Sequence, residues 1–542
     1  MTSQDVSSNR RWVEVEFAGV SLGHCLRDAR LREAATAIAD MPSASNPHRL
    51  DWNELRGFYR IVNDSHATLE NLQSGHRQQT QARMTAAPHR VLVIHDTTEL
   101  DFTDHPAVHD QLGPIGTGTS VGLLQHNSLA FDPDAKQVLG LIYQQLECRQ
   151  LRPKDETRQQ RALRPDKESR LWLTGIRGVG RPPQGSRWID VCDRGADFFE
   201  AMQESRHQGH EFLIRIHHDR RVRVPEVDEA TGVVTDQLQS LHETMATMAA
   251  VATKVVSVAS KGGRPAREAS VQVGYCAVRL QPPQPDGFRR GLLPQSVTLI
   301  RVWEAGVVAA RAAASEAKAL SEQLRKEVKA AEAVVASSRR GKARTAAEAD
   351  LSRLQSCWNE AKEIAKEKTH QVAEYLDWWL ATSSPIESIE ATLQAVSDYE
   401  WRWPVAEEYH KVEKTGLRIE GQRFETLAGL TAALSIMAVV AIRILQLRYA
   451  RDEQPEAAAD TVATREEIEM AGKATKATGP PLTVKQFVDR VARLGGYLGR
   501  KCDGPPGWMS LWRGYQRLTD MLLGQRLAQC RVETASTHHN PA

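Results

Sequence analysis

Two short apolar runs, each rich in β-branched residues and each ending in a carboxylate, constrain the fold of this chain most. They are VLVIHD, which ends at Asp96, and WIDVCD, which ends at Asp193. Each run predicts a buried strand whose end is exposed, where a rigid backbone can present a side chain to a cleft. For either run alone, an acid that begins a turn is the plainer interpretation. Glu99 and Asp101 compete for the first position, and Asp197 for the second.

A third acidic stretch, YEWRWPVAEEYHKVEKTG, spans 399–416. At about 3.6 residues per turn, Glu407, Lys411 and Lys414 fall on one helix face. A solvated face with Glu–Lys pairs is the simple explanation, but the large aromatic residues among the charges argue against it. Two strand-end acids and one helical acid can converge on one sheet edge and bind Mg²⁺ through oxygen. Two such ions can promote phosphodiester cleavage.

Composition limits the other classes of function. A chain of 542 residues predicts two to four domains. The formal net charge of +2 means that a nucleic-acid binder must use local patches. Seven cysteines without a CxxC pair indicate a reducing compartment and no zinc framework. The N-terminus lacks an apolar signal core, and the apolar run 426–442 is short for a membrane span. We expect a buried core helix there and a cytoplasmic protein.

Five motifs follow one another in an order that resembles a known family. HDTTELDF, LGPIGTG, GLLQHNSLAFD, DKESRLWL and VCDRGAD are similar to motifs of the transposon-five transposase and its relatives, and 399–416 resembles their Tyr-x2-Arg-x3-Glu-x6-Lys signature. These are DDE cut-and-paste transposases of insertion sequences, with a ribonuclease-H-like core. The resemblance covers about residues 12–525, interrupted at 307–370. It implies that Asp96, Asp193 and Glu407 are the catalytic acids and bind two Mg²⁺ ions, or Mn²⁺ in their place.

The same resemblance implies contacts with DNA near the cleaved bond. Arg402, Lys411 and Lys414 would contact phosphates there, and Tyr399 would donate a hydrogen bond. Trp378 matches a tryptophan that stacks on a base flipped out of the DNA end, where an aromatic face replaces lost base stacking. Core packing is the alternative role for this tryptophan.

The N-terminal motifs LGHCLRDARL and GFYRIVND resemble the DNA-end-recognition domain of the family. Arg27 and Arg30 are spaced i,i+3, and Arg60 follows Arg56 at i,i+4, so both pairs could address neighbouring phosphates. Taken alone, these residues are better explained as surface arginines. The resemblance implies that Arg27, Arg30 and Arg60 contact DNA.

One residue count departs from the family signature. Four residues separate Arg402 from Glu407, where the signature has three. Counting from the arginine would place the acid at Ala406, which cannot bind a metal, whereas counting back from the lysines selects Glu407. An insertion of one residue near Pro404, where a helix could begin, reconciles the two counts. Glu408 remains an alternative, and the insertion could also mark an impaired enzyme.

We therefore expect a multidomain α+β/α/β protein whose ribonuclease-H-like core contains a mixed sheet. The expected segments are a helical DNA-end-recognition domain (1–85), the first part of the core (86–230), a mainly β insertion (231–306), a helical hairpin insertion (307–375), the second part of the core (376–450), a linker (451–480) and a helical dimerisation domain (481–530). The helical hairpin, the second part of the insertion, departs from the pattern of the transposon-five transposase. Its Ala-rich positions predict self-packing, with a partner surface as the alternative.

The resemblance implies a transposase that binds the terminal inverted repeats of an insertion sequence as a homodimer in a synaptic complex. Its partners would be the double-stranded DNA of the transposon ends and of the target, with no membrane involved. One strand would be hydrolysed, the freed 3′-hydroxyl would form a hairpin, and the opened end would join target DNA. Two alternatives are a catalytically impaired, end-binding repressor and a metal-dependent nuclease of the same fold.

Overall fold

The structure, a computed structural model, describes residues 7–150, 155–157, 160, 164, 167–227, 234–258, 265–283, 291–475, 479–500 and 503–537. The chain forms two compact units. The first comprises Met1–Ile214, Pro283–Leu292 and Ser397–Ala542, and the second comprises Arg215–Pro282 and Leu293–Val396. The three predicted catalytic acids all belong to the first unit.

Helices occupy the N-terminal part of the chain, as its periodicity predicts. They are α1 Ser8–Glu16, α2 Cys25–Asp40, α3 Asn46–Arg49, α4 Trp52–Val62, α5 Leu69–Leu72 and α6 Ser74–Ala86. The start of α4 is fixed by a capping box, in which Asp51 accepts backbone hydrogen bonds from Asn53 and Glu54 while the Glu54 side chain bonds back to the Asp51 N–H. Such a box satisfies N–H groups that a helix start otherwise leaves without partners.

The first unit contains the mixed sheet that the sequence predicts. Its strands and covering helices are β1 Arg90–Asp101, β2 Gly113–Pro114, β3 Val121–Asp132, β4 Gln137–Glu147, α7 Ser169–Val179, β5 Arg187–Cys192, α8 Phe199–Gln208 and β6 Glu211–Arg215. β3 pairs antiparallel with β1, β2 and β4. On the other side, β1, β5 and β6 run parallel.

The first strand continues beyond Asp96, so the predicted strand end is wrong on one side of the sheet. β1 pairs with β3 as far as Asp101, opposite Gly122, because the antiparallel neighbour supplies partners along its whole length. On the other side, pairing with β5 stops at Ile94. The sheet therefore opens beside Asp96, and Asp193 directly follows the end of β5.

The second unit is built on antiparallel strands. They are β7 Arg221–Val227, β8 Val234–Ser240, β9 Ala252–Val258, β10 Arg267–Leu280, β11 Gln295–Trp303 and β12 Asp377–Thr382, with a short helix α9 Leu241–Ala246. β10 pairs with β7, β9 and β11, and β11 pairs with β12. Between β11 and β12 lies the predicted helical hairpin, formed by α10 Gly306–Ser337 and α11 Lys342–Val372. We call this hairpin the arm.

The remaining elements are α12 Ile389–Glu400, a π-helical turn Trp403–Glu407, α13 Glu408–Lys411, a second π-helical turn Val412–Gly416, α14 Leu427–Glu453, α15 Arg465–Ala474, α16 Val484–Leu494 and α17 Trp508–Thr537. α14 is the buried helix that the apolar run predicts. Among the described helices, it alone is long and apolar enough to cross a membrane, and 83% of its most apolar window is buried within the structure.

The segment predicted as a linker, 451–480, is largely structured. Thr464 and Glu467 form a capping box that begins α15. Ala459, Ala463 and Ala471 join a core formed with α14, α16 and α17. The polar and Ala-rich composition suggested a linker because small apolar residues give a weak periodic signal, although they allow a helix to pack closely.

A buried carboxylate ties α1 to α6. The Glu16 side chain is 2% exposed and accepts hydrogen bonds from Arg83 at 2.8 and 3.0 Å, with Nδ1 of His76 at 2.5 Å. Burial raises the pKa of Glu16, but His76 and Arg83 outweigh it and lower the pKa to about 2. The charged form is therefore stabilised by folding.

Glu16→Gln tests this contact through pH. Because the folded pKa lies below the unfolded value, the contribution is present above about pH 4.5 and is lost as the pH falls towards 2. We expect the variant to lose about 3 kcal/mol of stability at pH 7 and to show a flatter acid dependence. Urea-unfolding midpoints between pH 7 and 2 measure both effects. Glu14→Gln, which changes an exposed acid of α1, is the control, and equal behaviour of the two variants would contradict the assignment.

Candidate active site

Asp96 and Asp193 face the same cation. Nη2 of Arg402 lies 3.0 Å from Oδ1 of Asp96 and 3.5 Å from Oδ2 of Asp193. The side chain of Arg402 is 10% exposed, against 36% for Asp193. Burial alone would lower the pKa of Arg402, but the charges of Asp96, Tyr399 and Asp193 raise it. Arg402 is therefore a fixed positive charge shared by the first two predicted acids.

The competing acids near these positions are engaged elsewhere. Glu99 accepts a backbone hydrogen bond and lies 3.3 Å from Arg149. Asp101 accepts hydrogen bonds from Thr103 at 2.6 and 2.9 Å. Asp197 is 1% exposed. These surroundings favour the two predicted acids over their neighbours.

His410, to which the sequence pattern assigned no role, lies beside Asp96. Its Nδ1 is 3.7 Å from Oδ2 of Asp96. Its Nε2 accepts from Asn127 at 3.1 Å, and Asn127 in turn accepts from Gln144, whose amide oxygen accepts from Gln73. Burial lowers the pKa of His410 to about 4. The neutral ring therefore carries its proton on Nδ1, facing Asp96, and its place in the signature helix was the signal that could have found it.

A second buried network fixes the strands that present the acids. Asp190 on β5 lies 3.1 Å from Nε2 of His95 on β1 and 3.0 Å from Nδ1 of His210, which precedes β6. Burial raises the pKa of Asp190, but His210 and His95 outweigh it and hold the pKa well below its usual range. The opposite ring nitrogens of the two histidines contact Ser128 and the Gly180 carbonyl. This network connects three neighbouring strands beneath the site.

The extra residue between Arg402 and Glu407 coincides with a π-helical turn. The turn spans Trp403–Glu407 and contains Pro404, whose missing N–H removes one hydrogen bond of an ordinary α-helix. A π-turn adds one residue to a helical turn and so keeps residues five apart on one side. Such a turn accounts physically for the longer count.

The structure distinguishes the two adjacent glutamates. Glu408 forms an ion pair with Arg448 of α14, and the side chains are 20% and 18% exposed. Burial raises the pKa of Glu408. The Glu407 side chain is 43% exposed, with Lys411 at 3.9 Å. Glu408 therefore has a structural partner, while Glu407 is accessible to a ligand.

The three predicted acids are not assembled as a metal site in this structure. Across the described ranges, no group of three or more His, Cys, Asp or Glu residues is arranged to hold a metal ion. Asp96 and Asp193 come together at Arg402, whereas Glu407 lies 3.9 Å from Nζ of Lys411. Asp96, Asp193 and Arg402 are thus the part of the predicted site that the structure brings together.

The other residues of the signature helix have different surroundings. Lys411 is 59% exposed. Nζ of Lys414 contacts the Glu99 carbonyl and lies 3.4 Å from Glu420. Tyr399 is fully buried, and its ring packs edge-on against Trp403 at 5.3 Å. The two lysines are accessible to phosphate, and Tyr399 supports the helix from within.

Trp378 lies on β12 in the second unit. It is 5% exposed, which is the core position that the alternative interpretation predicts. Its neighbour Trp379 is more exposed, donates to Asp377 at 2.7 Å and has the guanidinium of Arg311 5.0 Å from its ring. Of the two rings, Trp379 is therefore the more accessible.

The three arginines predicted to recognise DNA lie on α2 and α4. Arg27 pairs with Asp64 at 2.7 Å and remains 47% exposed. Arg30 is exposed and lies against α4, and Arg60 is exposed on α4 itself. Trp52, at the start of α4, is 71% exposed, and no sequence motif singled it out. The three arginines and this aromatic side chain are all accessible to solvent.

The glutamate pair can be separated by stability. Glu408→Gln should lower stability by about 1–3 kcal/mol, because it leaves the Arg448 charge buried without its partner. Glu407→Gln should change stability by less than about 0.5 kcal/mol, since its partner is exposed. Thermal unfolding of both variants measures the difference. A larger loss for Glu407→Gln would contradict these assignments.

Comparison with known families adds one match. Residues 439–535 match the family model described as the transposase Tn5 dimerisation domain. The matched range begins within α14 and includes α15, α16 and most of α17. This match supports a transposase of the Tn5 type and the formation of a homodimer.

Proposed function

We propose that this chain is a DDE transposase that cuts and joins DNA at the ends of an insertion sequence. The observation that carries the proposal is the pair of acids, Asp96 and Asp193, at one open sheet edge and sharing Arg402. The mixed sheet beneath them supports a ribonuclease-H-like core. The match to the Tn5 dimerisation domain supports a transposase reaction. We propose a cytoplasmic location for this activity.

Asp96, Asp193 and Glu407 are the residues that would hold magnesium. Their donor chemistry fits the ion, because Mg²⁺ prefers carboxylate oxygen, and two of the carboxylates already face a shared positive charge. Glu407 supplies an accessible third carboxylate. When bound, two Mg²⁺ ions supply activation of the attacking oxygen and stabilisation of the leaving oxygen.

The chain's own cations then orient the DNA. The exposed Lys411 and half-exposed Lys414 offer positive charge to phosphates beside Glu407. A phosphate oxygen can replace the two carboxylates as the partner of Arg402, provided that another cation neutralises Asp96 and Asp193. His410 places a neutral ring 3.7 Å from Oδ2 of Asp96, while Arg402 and the Thr97 N–H donate to Oδ1 of that carboxylate and orient it.

Exposed apolar residues on α17 provide a surface for the dimer. Leu523 and Leu527 are 52% and 60% exposed, at i,i+4 on the helix, within the matched range. Trp512, by contrast, is buried against Gly416 and packs within its own chain. We propose that the leucines contact a second copy, so that a synaptic complex pairs two transposon ends. Strand hydrolysis, hairpin formation and strand transfer would follow there.

Metal binding can be tested without activity. Mg²⁺ that binds only the folded protein should raise the free energy of unfolding of the wild type, by about 2.7 kcal/mol at one hundred times Kd, and the thermal midpoint should therefore rise with Mg²⁺ concentration. Asp193→Asn should abolish this rise. Glu99→Gln, a change to a neighbouring acid outside the predicted trio, should retain it. An equal rise in Asp193→Asn would contradict the metal site.

The reaction is tested by Mg²⁺-dependent cleavage of a duplex carrying the element's own end. Asp96→Asn, Asp193→Asn and Glu407→Gln should each reduce cleavage at least about a hundredfold while retaining DNA binding, because each removes a metal-binding carboxylate. Folded Glu408→Gln should still cleave. Loss in Glu408→Gln alone would move the third acid by one residue. End binding without any cleavage by the wild type would favour the repressor interpretation.

A further inference from the structure

The arm is long and mostly exposed. α10 has 32 residues and α11 has 31, which corresponds to about 48 Å for the longer helix. Within these two helices, which the structure describes completely, the buried residues are Val307, Val328 and Ala361. The helices pack along each other, as self-packing predicts, but the hairpin buries few side chains. Most of its surface is therefore available to another molecule.

Positive charge is concentrated at the tip of the arm. The segment 333–347 contains no acid and four cations, Arg339, Arg340, Lys342 and Arg344. The first three are exposed. Arg344 forms an ion pair with Glu348 at 2.9 Å. Among the described residues, none forms an ion pair with Arg339, Arg340 or Lys342. We call Arg339, Arg340 and Lys342 the basic tip.

The rest of the arm is electrostatically balanced by short-range pairs. Arg325–Glu322, Arg353–Asp350 and Lys366–Glu363 are i,i+3 pairs along the two helices. At the basic tip, by contrast, Lys342 begins α11, whose first turn contains no acid and whose N-terminal Gly341 gives no side-chain cap. Cations are unfavourable at a helix N-terminus, where the dipole is already positive. This unfavourable term applies to Lys342, whereas Arg339 and Arg340 follow the C-terminus of α10. The three exposed cations nevertheless repel one another, and a polyanion would neutralise them.

We propose that the basic tip binds the phosphate backbone of double-stranded DNA, a contact additional to those of the catalytic residues. This inference rests on the proposed function, which brings long DNA to the protein. The segment SSRRGKAR, 337–344, has no aromatic or large apolar side chain to enter a bilayer, so a membrane surface fits it less well. The contact reads no sequence, because phosphates are the same on every base pair.

The experiment compares two triple variants with equal change of charge. One is Arg339→Glu, Arg340→Glu and Lys342→Glu. The control is Lys318→Glu, Lys326→Glu and Lys329→Glu, three exposed lysines of α10 outside the basic tip. Binding of the full chain to a labelled duplex that lacks the element's ends is measured by fluorescence anisotropy over a series of salt concentrations. Circular dichroism checks that both variants fold.

The slope of log affinity against log salt is negative, and loss of three phosphate contacts should make it less steep by about 2.7 in the tip variant. The control should keep a slope close to that of the wild type. Equal slopes for the two variants would contradict DNA binding by the basic tip. Cleavage of an end-bearing duplex by the wild type would still support the proposed function in that case. Absence of any duplex binding by the wild type would overturn both. Tip-dependent binding to vesicles containing phosphatidylserine, with no effect on the DNA slope, would also overturn the DNA contact.

Discussion

The contact of the buried Arg402 guanidinium with Asp96 and Asp193 is the interaction on which the arrangement of the site depends. Two acids from neighbouring parallel strands lie at one open edge and would repel each other without a shared positive charge. Arg402 supplies that charge from a different segment, more than two hundred residues later. Because a buried ion pair is costly to break from one side, this contact couples the signature helix to the sheet.

The strands themselves are held by polar contacts under the acids. His95, Asp190 and His210 connect β1, β5 and the start of β6, and their charges and hydrogen bonds offset the cost of burying a carboxylate. A wholly apolar core would pack these strands but would fix their register less strictly. The buried network beneath the site and the acids that contact Arg402 therefore perform different tasks within a few residues of each other.

Several elements of both units follow from local pattern. The strand at VLVIHD, the strand at WIDVCD and the buried helix α14 are all read from runs of apolar residues, and the arm from helical periodicity. The continuation of β1 past Asp96 was not predictable, because it depends on β3 supplying antiparallel partners up to Gly122. The structure of 459–474 was missed because its alanines gain their burial only from α14, α16 and α17.

The signature helix shows how one extra residue can be absorbed without losing a pattern. An insertion in an α-helix rotates everything after it by about 100°, since each residue advances the helix by that angle. Widening one turn into a π-turn takes up the residue locally. Pro404 favours that turn, and Glu407 closes it. Glu408, one position later, is directed to Arg448 on α14. The local backbone thus separates an exposed Glu407 from a paired Glu408, which agrees with the count back from the lysines rather than with the count from Arg402.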